Sequence, residues 1–185
     1  MNRLVTAGLA LCLAGSAWTA APAAAQQAPE PMPESYREVQ LDKLAIGRTL
    51  LVSMVDSMPE EFYQDRETPE QRTFAEQIIH AAWAVPALAY GTVGKDVPAL
   101  PDSVAAKTSR AALLKYVNAA FEVSADLLSS QTSEQRNGMV NLLGTLEMPL
   151  WQVWDEIHQH TIWTGGQVVA NFRSHGMPPP GFGFF

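Results

Sequence analysis

A chain of 185 residues that is 47% hydrophobic and 17% charged is too apolar to stay disordered, and it is long enough for one domain with its own core. Its formal net charge of −7 argues against a nucleic-acid partner, which usually calls for a basic stripe. The lone cysteine, Cys12, excludes a disulfide scaffold and any CxxC-type zinc or redox site.

Met1 to Ala25 reads as a secretory signal peptide. Arg3 gives the charged start, Leu4 to Leu13 the apolar run, and Ala23-Ala24-Ala25 the cleavage site before Gln26. The run falls short of the roughly 20 apolar residues a spanning helix needs, so no stable membrane anchor is expected after cleavage. The expected location is secreted or periplasmic. Cleavage removes Cys12 and Arg3, leaving a mature chain without a thiol and one unit more acidic.

Residues 26–35 are Pro-rich and polar and are expected to form a flexible tether. From Tyr36 the pattern turns helical, with Leu41, Leu44, Leu51, Val52, Val55 and Met58 at i, i+3, i+4 spacing, and Met58-Pro59 closes the helix. Thr68-Pro69-Glu70-Gln71 offers a cap and a first-turn proline for a second helix. That helix passes through Phe74, Ile78, Ala82, Val85 and Ala89 and is expected to kink at Pro86. It is apolar nearly all round, so periodicity leaves its inward face open. Gly94 to Pro101 reads as a loop.

The third helix has the clearest stripe: Leu113, Tyr116, Val117, Ala120, Phe121, Ser124, Leu127 and Leu128. Ser129 to Arg136 breaks the pattern, and Met139 to Met148 reads as a short helix or a packed loop. A fourth helix is expected from Pro149 to Ser174, with Leu150, Val153, Trp154, Ile157, Thr161, Val168 and Phe172 inside and Gly176 as its stop. Pro178-Pro179-Pro180 prevents a restart, and residues 181–185 form a Gly/Phe tail that either docks or stays loose. No segment shows sustained period-2 alternation. The expected fold is all-α, a four-helix bundle with a long connection before the last helix.

GxSxG, P-loop and GxGxxG motifs are absent, so chemistry falls to His80, His158, His160 and His175. His175 sits beside the helix-ending Gly176, where it suits the C-terminal carbonyls. His158 and His160 are two apart and point to opposite sides of a helix, so they cannot share one metal. His160 lies at the edge of the inward stripe, and His80 is its natural partner on the second helix. Two readings of this pair stand together: metal ligands, or polar groups hydrogen-bonded inside the bundle. Trp83, Trp151, Trp154 and Trp163 either line a pocket or belong to the core.

Two stretches carry a family resemblance. Arg72-Thr73-Phe74-Ala75-Glu76-Gln77-Ile78-Ile79-His80 resembles the second-helix entry of the DinB-like four-helix-bundle proteins, and HTIWTGGQVVANFRSHGMPP, His160 to Pro179, resembles their H-x-x-x-H-R-G-Q ending. The likeness spans about residues 36–180 and implies a DinB-like bundle. It also implies a divalent metal, zinc or nickel, held by one histidine on the second helix and two on the fourth. Carried over by position, the metal residues are His80, His160 and Thr164. A neutral hydroxyl thus stands where the third histidine belongs, and Gly165 replaces the basic residue after it. Glu76 or Glu156, each one turn before a histidine, would have to swing in to complete the set. Gly165 and Gly166 would allow close helix approach, with Gln167 hydrogen-bonding near the interior.

The resemblance implies either a metal-dependent transferase using an external small thiol or a hydrolase using an activated water. The alternative is a non-catalytic bundle that binds a small apolar ligand or a protein between its helices. A homodimer paired through the helices is a further expectation.

Overall fold

The computed structural model describes residues 30–181. The segment read as a signal peptide, with Cys12, and the last four residues of the tail lie outside them.

Helix α1 spans Tyr36–Ser57 and ends where Met58, the residue before Pro59, turns to extended backbone (ψ 124°). A single 3-10 turn over Glu60–Phe62 follows. Helix α2 spans Phe74–Thr92. It starts later than the Thr68–Gln71 cap predicts, because Thr73 and Glu76 form a reciprocal capping box just before the fully buried Phe74. Thr68 to Gln71 makes a turn instead, closed by the Gln71 amide on the Thr68 carbonyl. The helix then continues through the buried Pro86 to Thr92.

After the expected loop comes α3, Ser103–Ala106, capped by Asp102. Helix α4, Arg110–Ser130, buries the same eight residues its stripe predicts. A short α5, Ser133–Asn137, carries a Thr132/Gln135 capping box. It also holds the end of the segment read as a tether. Asn137 exchanges hydrogen bonds with the Met32 backbone, and the buried Arg136 pairs with Glu34 at 2.6 Å.

Met139 to Met148 forms neither a helix nor a loop. It is an antiparallel hairpin, β1 (Met139–Leu142) and β2 (Leu146–Pro149), in register Leu142↔Leu146. Its turn puts Leu143 and Gly144 at φ +56° and +76°, the twisted geometry that suits two right-handed strands.

The predicted last helix is two. Helix α6, Leu150–Gly166, is separated by a tight turn from α7, Val169–Ser174. At the turn, Gln167 and Val168 bond three residues back, and the adjacent glycines 165 and 166 make helix continuation costly. Gly165 has a packing reason, since a Cβ there would sit 2.9 Å from Leu51. Gly166 faces open space, so only one of the pair permits close approach. Gly176 at φ +69° ends α7, with its own amide on Arg173 and that of Met177 on Phe172.

The long helices α1, α2, α4 and α6 make the four-helix bundle. Helices α4 and α6 each pack against both α1 and α2, which leaves α1 and α2 diagonal. The core is built from residues such as Leu51, Val55, Ile78, Val85, Leu113, Val117, Ile157 and Phe172. Among the described residues, no helix is long and apolar enough to cross a membrane.

Candidate functional site

Helices α2 and α6 run antiparallel: Gln77, near the start of α2, donates to the Thr164 carbonyl near the end of α6. This alignment sets His80 against His160, with ring centres 5.7 Å apart and planes at 71°. Thr164, one turn beyond His160, is buried, and its hydroxyl oxygen lies 3.4 and 3.5 Å from the two ring nitrogens of His160. Near-equal distances place that oxygen opposite neither nitrogen lone pair, at the limit of hydrogen bonding. The three positions carried over by resemblance therefore meet at one place.

Their fit to a metal is partial. With zinc–nitrogen bonds of about 2 Å, two imidazoles on one tetrahedral ion have ring centres roughly 5–6 Å apart, so the histidine separation suits a shared ion. The remaining donor is a neutral hydroxyl. Glu76 cannot swing in cheaply, because one oxygen caps the Thr73 amide and the other pairs with Lys107 at 2.8 Å. Among the described residues, no three His, Cys, Asp or Glu side chains gather into a metal-sized group, so Glu156 does not complete the set either.

Burial pushes both histidines below the ordinary value of 6.5, and for His80 the charges of Arg72 and His160 add to the effect. His158, on the opposite flank as its spacing predicts, is also lowered. There burial is the main cause and the Lys43 charge the next, against a hydrogen bond with the Lys43 backbone and the Asp155 charge. All three are therefore neutral at neutral pH. The unfolded chain takes up protons near 6.5 while the folded chain resists them, so this stability is present above 6.5 and lost as pH falls below it. The histidine contribution to the melting temperature should be flat above about pH 7 and fall as the pH drops below 6.5. His80→Gln and His160→Gln should each flatten that slope in a thermal melt series; an unchanged slope in both would refute the assignment.

Two clefts lie nearby; His80 lines the first, and neither histidine lines the second. One, of about 410 Å³, is lined by Arg72, Glu76, Ile79, His80, Trp83, Ser103 and Lys107. The other, of about 400 Å³, is lined by Glu70, Gln71, Arg72, Gln77, Gln167 and Asn171. Gln77 also bonds the Gln167 side chain at 3.1 Å, so Gln167 does hydrogen-bond as expected, though from an exposed position. The tryptophans divide. Trp83 (49% exposed) lines the first cleft and Trp163 (77% exposed) stands in solvent. Trp154 is core, its indole N–H on Gln131, and Trp151 packs edge-on to Tyr36. His175 caps α7 with its ring stacked on Phe62 at 3.8 Å and its Nε2 3.3 Å from the Asp65 carboxylate. Sequence reasoning missed Lys107 and the part played by Gln77. Gln77 was open to discovery, lying one turn before His80.

The sequence profile of the DinB superfamily matches residues 43–168, inside the span of the resemblance. The fold is similar to the crystal structure of a DinB-like protein from Bacillus cereus ATCC 10987, with a TM-score of 0.66 and 16% identity over 78% of this chain and 95% of that one. No curated protein matches the chain. Residues 43–168 are most of the bundle, including both His80 and His160, and on that match the chain belongs to the DinB superfamily.

Proposed function

We propose that this chain is an exported ligand-binding domain in which His80, His160 and Thr164 form a reduced divalent-metal site. The observation that carries the reading is the pair of neutral imidazoles with ring centres 5.7 Å apart, with the Thr164 hydroxyl against the His160 ring and a cleft lined by His80. Two imidazoles and one hydroxyl would hold zinc or nickel only weakly, and no reaction step is assigned to such an ion. His80 instead offers a hydrogen-bonding imidazole at the wall of a cleft large enough for a small organic molecule, with His160 packed behind it. Export is supported by the charged start, the apolar run and the Ala23-Ala24-Ala25 site.

A second reading, a metal-dependent transferase or hydrolase, is favoured by the histidine separation itself. Zinc titration of the purified mature protein, with His80→Ala and His160→Ala alongside, decides between them. The expected result is protein purified without stoichiometric metal, which takes up zinc weakly and loses that response in both variants. Tightly held zinc or nickel at one per chain would favour the enzyme instead. No zinc response at any concentration would remove the metal site altogether. The same protein, produced with its leader, should begin at Gln26 on N-terminal sequencing.

A further inference from the structure

The cleft on the outer face of α2 has a charge pattern unlike the rest of this acidic chain. Glu76 is spent on Lys107 and on the Thr73 amide, so neither it nor Lys107 carries a free charge into the cleft. Arg72 differs. Its guanidinium meets only the Gln77 amide oxygen, at 3.5 Å, and no carboxylate among the described residues pairs with it. A cleft with one uncommitted cation, in a chain of net charge −7, selects anions against the general field of the molecule. Its wall adds a second selection. Trp83 leaves 49% of its surface in solvent, and the partly buried Ile79 lies one turn before it.

We propose that this cleft binds an organic acid with a flat aromatic body, its carboxylate on Arg72 and its ring against Trp83. The planar guanidinium matches a carboxylate with two parallel hydrogen bonds, and an aromatic ring gains most by covering a half-exposed indole. A carboxylate is favoured over a phosphate because one cation is free, which balances a single negative charge and not two. His80 belongs to both the cleft and the histidine pair, so the bound acid would lie beside the pair. The assignment rests on the ligand-binding reading above and names the class of ligand.

The test uses the zinc-free mature protein and 2-naphthoate as probe, with binding followed by calorimetry and by tryptophan fluorescence. Naphthoate should bind, and Arg72→Gln should weaken it about tenfold, as expected for loss of a charge-assisted pair at a partly exposed site. The neutral isostere 2-naphthamide should bind the wild type about as weakly as naphthoate binds Arg72→Gln, and it should ignore that substitution. Trp83→Leu should weaken both probes. Arg72 and Trp83 are exposed, so neither change threatens the fold. Equal binding of acid and amide, or no binding of naphthoate at millimolar concentration, overturns the proposal. Displacement of naphthoate by inorganic phosphate at low millimolar concentration would make the cleft a simple anion site and overturn the aromatic assignment. Zinc titration of the same samples separates the two readings. Zinc uptake without naphthoate binding defeats the aromatic acid and leaves the histidine pair standing; naphthoate binding without zinc uptake does the reverse.

Discussion

Thr164→His should raise zinc affinity by about two to three orders of magnitude, since a complete four-ligand zinc site is worth roughly 10–16 kcal/mol, or about 2.5–4 kcal/mol per ligand. Position 164 is one turn beyond His160 on the same face of α6, with its side chain already within 3.5 Å of the His160 ring. His80 waits across the interface with its ring centre 5.7 Å from that of His160. The substitution therefore supplies a third imidazole on the same helix face as His160. At a zinc concentration 100 times the dissociation constant, the folded state gains about 2.7 kcal/mol. For a domain of this size that lifts the melting temperature by roughly 5–10 °C. Thr164 is only 3% exposed, so the larger side chain carries an overpacking cost of about 1–3 kcal/mol in the absence of metal. Thr164→Cys is the near-isosteric companion, offering a thiolate donor in almost the same volume. Calorimetric titration reads both variants. If both are folded and bind zinc no better than the wild type, the three positions do not share a metal geometry, and the family ligand set does not transfer to this chain.

That experiment turns on a register that was visible in the sequence. His160 and Thr164 share a helix face by spacing alone, and His80 stood out as the one histidine on the facing helix. The α4 stripe was equally legible, because its eight inward positions, large and small, keep helical spacing while the charged residues Arg110, Lys115, Glu122 and Asp126 all fall outside it. Helix α2 was not, since its apolar residues surround it, and only packing turns Trp83 outward and Ile78 inward. The hairpin was hidden for a different reason. MVNLLGTLEM lacks alternation and places Leu143, not Asn or Asp, at the first left-handed turn position, so no short-range hairpin signal exists. The α6–α7 break was written in Gly165-Gly166, but an adjacent glycine pair weakens a helix without dictating where it stops. Lys107 reaches Glu76 across the long loop after α2, a contact that no local pattern encodes.

Phe172→Ala should cost about 3–5 kcal/mol, a large part of the roughly 5–15 kcal/mol that holds a typical domain together. Phe172 is fully buried and meets Phe74 edge-on at 6.0 Å, and Phe74 in turn lies 5.3 Å from Tyr63. The Tyr63 hydroxyl then donates to the Val55 carbonyl at 3.0 Å. One aromatic chain thus ties α7 to the start of α2, the segment after the 3-10 turn and the end of α1. Removing its terminal ring leaves a cavity and exposes the face of Phe74. Expressed as a thermal melt, the loss is about 6–20 °C for a domain of this length. Phe172→Leu, which keeps most of the volume, should cost less than about 1.5 kcal/mol. A fall below about 2 °C for the alanine variant would mean that α7 is not a packed element. The damage should also be local first. Asn171 holds the Asp65 carbonyl, Ser174 holds Glu67 and His175 stacks on Phe62, so freeing Phe172 loosens the contacts by which α7 pins residues 62–67. Amide exchange should therefore quicken in α7 and in that segment before it does in α4, whose buried stripe belongs to the opposite side of α2 and does not depend on Phe172.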